Sequence, residues 1–252
     1  MDDEIKALLK KKDLINFYEN LKSNKEVKTL IKQANNVSIG RLGLNDHGEM
    51  HSKITTRNAL KILSLLKKST IMKEKIGNED DAKIAVMLSA YLHDIGISIN
   101  RENHELFSII LAKPIAEKLL IDYYKESKKA YAILPVVLEG ILCHMGNYKP
   151  TSVEAGIISI ADGCDMTKGR ARISFTIGDR SIHEYSAMAI DEVNIKKGKE
   201  KPVEIEIKMS SAAGVFQVQE ILLKKIKNSG LKKYVAVVSK VKERGKSYKD
   251  VY

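Results

Sequence analysis

The pair His93-Asp94 lies inside the largely apolar run Ala90-Tyr91-Leu92-His93-Asp94-Ile95-Gly96-Ile97-Ser98. An imidazole and a carboxylate that leave an apolar helix together are costly to bury unless a positive centre satisfies both, and a divalent cation does so. The pair therefore reads first as metal ligands. The same residue types recur at intervals on either side: His51 upstream, His104 and His144 downstream, and Asp162 within Ser159-Ile160-Ala161-Asp162-Gly163-Cys164-Asp165. Any one of these histidines alone would be read as satisfying a core hydrogen bond. Several such groups in one domain need a shared partner.

In the order His, His-Asp, His, His, Asp, the pattern resembles the HD-domain metal-dependent phosphohydrolases. Asp46-His47-Gly48-Glu49-Met50-His51-Ser52 looks like the helix that carries the family's first histidine, and Leu92-His93-Asp94-Ile95-Gly96 like its signature. Glu102-Asn103-His104-Glu105, Leu142-Cys143-His144 and Ala161-Asp162 look like the remaining ligand segments, so the resemblance covers about residues 45 to 172. It implies that His51, His93, Asp94 and Asp162 hold one ion, and that Asp94, His104 and His144 hold a second, with Asp94 bridging. A ligand set this rich in imidazole suits Mn, Fe, Co, Ni or Zn better than Mg. Two such ions lower the pKa of a bridging water and neutralise charge developing on a phosphoryl oxygen. The implied activity is phosphoester hydrolysis by a metal-bridging hydroxide, with Asp94 at its centre.

Further residues could join that chemistry. His47 precedes His51 by four residues and shares its face if one helix carries both. Related proteins with a third ion place a ligand at this distance, although Gly48 also permits a plain loop histidine. Arg170 and Arg172 follow the closing aspartate, where a guanidinium suits a phosphate oxygen. Their alternative role is to cap a helix C-terminus or pair with surface acids. Lys53, Arg57 and Lys149 are weaker phosphate-binding candidates of the same kind. Asp165 competes with Asp162 for the ligand position; the family pattern favours Asp162 and leaves Asp165 to hold a ligand from behind.

These residues need a scaffold, and a chain of 252 residues with 44% hydrophobic and 30% charged content is long enough to bury a core. No stretch approaches the ~20 apolar residues of a membrane span. The start Met1-Asp2-Asp3-Glu4 lacks the apolar run of a signal peptide, so no membrane association and a cytoplasmic location are expected. Cys143 and Cys164 give no disulfide framework and suit a reducing compartment. Helix neighbours point ~100° apart, so Cys143 should face away from His144, and both cysteines read as small buried hydrophobes.

The apolar spacing predicts one or two helices over Asp2 to Gln33, then helices over about 50–67, 80–92, 103–120, 128–143 and 153–167. Asn103 is a natural N-cap for the fourth segment of the series, and Pro114 should kink or interrupt it. After Arg172 the period changes. Arg172–Ile177, Ser186–Ile195 and Pro202–Met209 read as strands, the latter two joined by a loop in which Gly198 can take positive φ. Ser210 and Ser211 offer a cap for a helix from about Ala213 to Lys227, and Tyr234–Val241 reads as a last strand. The expected fold is mainly α: an N-terminal helical segment (1–46), an all-α HD-domain bundle (47–174), and a small β-β-α-β appendage (175–252). So small a unit must pack on the bundle or pair with a copy, so a homodimer is expected, with the appendage serving assembly or substrate access. The hydrolytic centre should lie wholly in the helical domain, because the only later histidine, His183, has no partner motif.

The net charge of +11 is uneven: residues 1–46 carry 9 basic and 7 acidic side chains, 47–174 carry 18 and 15, and 175–252 carry 16 and 10. Such a surface attracts polyanions, although lysine and glutamate enrichment also accompanies stability at high temperature. The expected activity is that of a phosphodiesterase on nucleotides or RNA ends, including 2′,3′-cyclic phosphates. Two alternatives stand beside it: a non-catalytic nucleotide-binding regulator, and a di-iron oxygenase on the same scaffold. A plain RNA-binding module is disfavoured by the 6% aromatic content and the lack of tryptophan.

Overall fold

A computed structural model describes residues 1–170, 182–243 and 246–252. Three short helices begin the chain, α1 (Asp2–Leu9), α2 (Lys12–Ser23) and α3 (Lys25–Asn35), where apolar spacing predicts one or two. The extra breaks have local causes. Lys10 takes a positive φ of 66° at the end of α1, and the Asn24 side chain accepts from the backbone N–H groups of Glu26 and Val27, capping α3. A π-helical turn, Asn36–Arg41, then leads into the loop that holds His47.

The bundle continues with α4 (Glu49–Leu66), α5 (Thr70–Lys73), α6 (Glu79–Leu92), α7 (His104–Tyr124), α8 (Ser127–Cys143) and α9 (Val153–Gly163). Helix α6 starts with a reciprocal capping box between Asn78 and Asp81, and every residue from Asp81 to Leu92 is buried. A helix apolar almost all round has to sit at the centre, and α4, α8 and α9 pack around it. Asn103 does precede α7, but it holds φ 54° and its side chain caps nothing. Pro114 does not interrupt α7. The carbonyl that a proline leaves without a partner belongs to the residue four earlier, and Ile110 is 65% exposed, so water can serve it. Helix α9 stops at Gly163, short of the expected Thr167.

The C-terminal part holds α10 (Ile182–Met188), β1 (Ile190–Lys197), β2 (Val203–Met209), α11 (Leu223–Asn228), β3 (Val235–Glu243) and β4 (Lys246–Val251). A wide π-helical stretch, Gln217–Leu222, runs directly into α11. The strand expected over Ser186–Ile195 begins only at Ile190, because the preceding residues are helical. The strand expected over Arg172–Ile177 lies outside the described residues. Strand β4 was not anticipated, so the order is β-β-α-β-β, with β1/β2 and β3/β4 antiparallel and β2/β3 parallel. The parallel pair requires a crossover, and the helical stretch between β2 and β3 supplies it. Ser211 caps the start of that stretch by accepting from Ala213. Gly198 does not take positive φ; it is needed because a Cβ there would lie 2.3 Å from the Lys201 carbonyl oxygen.

Val203, Ile205, Ile207 and Met209 of β2 are buried, and β1 and β2 lie against α4. One continuous hydrophobic cluster joins Ile5 of α1 to Val241 of β3. The helical crossover rests on α9 where two glycines open its surface: a Cβ on Gly156 would meet the Ser229 carbonyl oxygen at 2.4 Å, and one on Gly163 would meet the Lys225 side chain at 3.0 Å. Both cysteines are buried and free. No helix among the described residues is long and apolar enough to cross a membrane.

Candidate metal centre

The six expected ligands come from helix ends and helix faces turned toward one point. His51 lies in the first turn of α4, His93 directly follows α6, His104 opens α7, His144 directly follows α8, and Asp162 is the penultimate residue of α9. A short 3-10 turn, Ile95–Ser98, follows Asp94. Gly96 in that turn brings His104 close: a Cβ there would fall 2.2 Å from the His104 carbonyl oxygen and 2.3 Å from the Ser108 nitrogen. The Gly96 N–H donates to the Ser108 hydroxyl over 2.8 Å. The signature glycine is therefore a requirement of backbone approach.

Each ring is held from behind, which fixes its tautomer. Nδ1 of His93 donates to the Ala90 carbonyl at 2.8 Å, Nδ1 of His144 to the Ile141 carbonyl at 2.6 Å, and Nδ1 of His104 to the Arg101 carbonyl at 2.9 Å. Nδ1 of His51 meets Asp165 Oδ2 at 2.7 Å. With the proton on Nδ1, the Nε2 lone pairs face inward. They face one another: Nε2 of His51 and His93 are 3.0 Å apart, as are Nε2 of His104 and His144. Asp94 lies between the two pairs. Its Oδ2 is 3.2 Å from His51 and 3.1 Å from His93, while its Oδ1 is 3.1 Å from His104 and 3.5 Å from His144. Asp162 Oδ1 adds to the first pair, 3.3 Å from His51 and 3.8 Å from His93.

This donor set fits a metal. Asp94 Oδ2 is a buried carboxylate oxygen without a hydrogen-bond partner among the described residues, and inward lone pairs at 3.0 Å repel unless a cation separates them. Two trios, His51-His93-Asp162 and His93-Asp94-His144, place their ligand atoms within 4.8 Å of one another. Burial opposes protonation throughout: it holds His144 down at about 4 and His47 well below the usual histidine range. For His51, burial and the Arg170 charge are outweighed by the neighbouring carboxylates of Asp162, Asp165 and Asp94, which push it up to about 10. His93 rises as well, against burial, through Asp94 and Asp162. Proton and metal compete for such nitrogens. Burial would raise Asp94 and Asp162, yet both sit well below the carboxylate range, Asp94 because of His93 and Asp162 because of Lys225 and the imidazoles.

The centre opens into a cleft of about 560 Å³ whose lining includes Asp94, His104, Asp162, Asp165 and Arg170. His47 also lines it, its ring 5.6 Å from that of His51 and its Nδ1 bound to the Asn45 carbonyl at 2.7 Å. Gly48 precedes the helix, so His47 stands in the loop and not on the face of α4. Arg170 donates to the carbonyls of Asp46 and Asp165 and reaches within 3.3 Å of His51 Nε2. Arg172 lies outside the described residues. Lys53 is not in the cleft; it pairs with Glu49 and Asp2 at 2.9 and 3.3 Å. Arg57 contacts Asn58 and Glu4 instead, and Lys149 is exposed away from the lining.

Three cations of the cleft lining, Arg101, Lys224 and Lys225, went unrecognised in the sequence, and two of them touch ligand residues. Arg101 lines the cleft with Nη1 2.8 Å from His104 Nδ1, and its only sequence cue is that it stands three residues before a ligand. Lys225 binds Asp162 Oδ2 and donates to the His144 carbonyl at 2.9 Å. The centre is thus not built by the helical bundle alone, and the expectation that it would be is corrected: Gln217, Glu220, Lys224, Lys225 and Asn228 form one wall of the cleft.

Comparison with known proteins agrees with this architecture. The model of the HD domain family matches residues 49–167. The uncharacterized protein MJ1020 of Methanocaldococcus jannaschii is 44% identical over 238 residues, covering 93% of this chain and 92% of that protein. No solved structure gives a significant match. With the family's segments matched and their side chains gathered around Asp94, the chain belongs to the HD-domain metal-dependent phosphohydrolase superfamily.

Proposed function

We propose that this protein is a dinuclear phosphodiesterase acting on nucleotides or RNA ends, 2′,3′-cyclic phosphates included. The observation that carries the reading is the placement of Asp94, whose two oxygens face two separate imidazole pairs. His51, His93, Asp94 and Asp162 would hold one divalent ion, and Asp94, His104 and His144 the other. Such ions supply Lewis acidity, activating water at neutral pH and neutralising charge on a phosphoryl oxygen. The chain's own residues do the rest. Nδ1–H bonds to Ala90, Ile141, Arg101 and Asp165 keep the rings in one orientation, and Arg170 sits over the first cluster where an anionic oxygen would dock.

Charge supports an anionic substrate. The described lining carries four acids (Asp94, Asp162, Asp165, Glu220) and four bases (Arg101, Arg170, Lys224, Lys225), so any bound dication makes the cleft net positive. Its volume suits a ligand of nucleotide size. The test is a panel of phosphomonoesters, phosphodiesters and 2′,3′-cyclic nucleotides, assayed with Mn, Fe, Co, Ni and Zn in turn. Metal-dependent diester turnover is expected. Turnover of monoesters only would reassign the substrate class, nucleotide binding without turnover would favour a regulator, and oxygen uptake by the iron-loaded protein would favour an oxygenase.

A further inference from the structure

Lys225 stands out because of what it holds. Its Nζ binds Asp162 Oδ2, while the other oxygen of the same carboxylate faces His51 and His93. Arg170 approaches that carboxylate from the opposite side, with Nη1 3.8 Å from Oδ1. One candidate ligand is therefore flanked by two cations, Arg170 from the segment just after α9 and Lys225 from the C-terminal unit. A lysine whose role was only to pin α11 to the bundle would need no more than the His144 carbonyl, to which it already donates at 2.9 Å. Instead its side chain, 11% exposed, crosses over Gly163 and ends in the cleft.

An ammonium has three hydrogens, and two of them meet protein acceptors among the described residues. The third meets no acceptor among the described residues and can point to a ligand in the cleft. Once a divalent ion shares the Asp162 charge, the hold of that carboxylate on Lys225 weakens, and the desolvated ammonium gains most from a new anion. We propose that Lys225, delivered by the C-terminal unit, is a substrate-binding residue that grips a phosphate oxygen together with Arg170. This deepens the phosphohydrolase reading and rests on it. It also gives the C-terminal unit a direct part in substrate binding, so that unit is a wall of the active cleft as well as a cover for α9.

The test uses the full-length, manganese-loaded protein and inorganic phosphate as the probe, with affinity read by calorimetry and metal content by elemental analysis. Lys225→Met keeps the aliphatic stem that packs on Gly163 and removes only the charge. It should bind phosphate at least ~10-fold more weakly than the native protein while retaining its manganese. Lys225→Arg should stay within about threefold of native, since the positive charge and its donors remain. Phosphate affinity in Lys225→Met within about twofold of native would overturn the assignment, and so would loss of manganese in parallel with phosphate, which would mark a purely supporting role. Native protein that loads manganese but binds no phosphate would overturn the phosphohydrolase reading itself. Equal binding by native protein and Lys225→Met would overturn the lysine's role alone.

Discussion

Asp94 is the residue on which the candidate centre depends most, because each of its oxygens faces a different imidazole pair. Asp94→Ala is expected to lose both ions and all metal-dependent turnover, whereas His144→Ala should lose mainly the ion beside His104; elemental analysis of the two variants separates these outcomes. Asp165 acts at one remove. Its carboxylate holds Nδ1 of His51 at 2.7 Å, so Asp165→Ala should weaken metal binding about 10–100-fold without removing a ligand atom. Metal titration that gave native affinity would show that His51 keeps its orientation unaided. The ligand histidines were legible in the sequence because imidazoles beside apolar runs are costly and six spaced positions matched one pattern. Arg101 and Lys225 were not, because a cation on an amphipathic helix is ordinarily solvated and only tertiary packing turns these two inward. Lys53 misled for the converse reason: its closeness to His51 in sequence says nothing of its face, and α4 turns it toward Asp2.

At the scale of elements, long helices with sustained apolar content were readable, and α4, α6 and α8 start and end within a residue or two of expectation, although only α6 of the three carries a side-chain cap. Where backbone conformation or a distant partner decides, reading failed: Lys10 ends α1 by positive φ, Pro114 is tolerated because of exposure at Ile110, and β4 is polar enough to pass for a tail. Contact between elements gives two further tests. Gly156→Ala places a Cβ 2.4 Å from the Ser229 carbonyl oxygen, which can retreat only if the crossover moves off α9. A loss of about 1–3 kcal/mol is expected, read as a lower melting temperature; an unchanged melting temperature would mean the crossover shifts freely. On the outer face of the sheet, Lys240 and Lys196 bind Glu206 and pull its carboxyl down to about 2 from an ordinary 4.5. A carboxylate so depressed stabilises the fold above its unfolded pKa and ceases to do so as pH falls through the folded value. Both lysines are partly exposed, so solvent screens the pairs, and Glu206→Gln should cost at most about 1 kcal/mol at pH 7 and progressively less as pH drops from about 4.5 toward 2, as denaturant melts across that range would show.

For the whole molecule, the question is whether the C-terminal unit is an attachment or part of the body. The sequence suggested an attachment, since the hydrophobic period changes after Arg172 and every histidine of the centre precedes that point. Packing argues otherwise. Val218, Leu222, Ile226 and Leu231 are buried in the same cluster as the bundle, β1 and β2 lie against α4, and Lys225 enters the metal centre. Removing the unit would uncover the surface around Gly156 and Gly163 and leave Asp162 without its lysine. Exposing four aliphatic side chains' worth of contact costs several kcal/mol at about 1.5–3 kcal/mol for each fully buried side chain, a large part of the 5–15 kcal/mol that typically holds a domain together. The full chain is therefore expected to unfold in one cooperative transition, with the same midpoint by helical circular dichroism and by tyrosine signal. A chain ending at Arg170 should melt far lower or bind a hydrophobic dye as a loosened bundle. Two separated transitions in the full chain, or a truncated protein that keeps the native melting temperature, would show that the bundle stands alone and that the shared core contributes little to holding it.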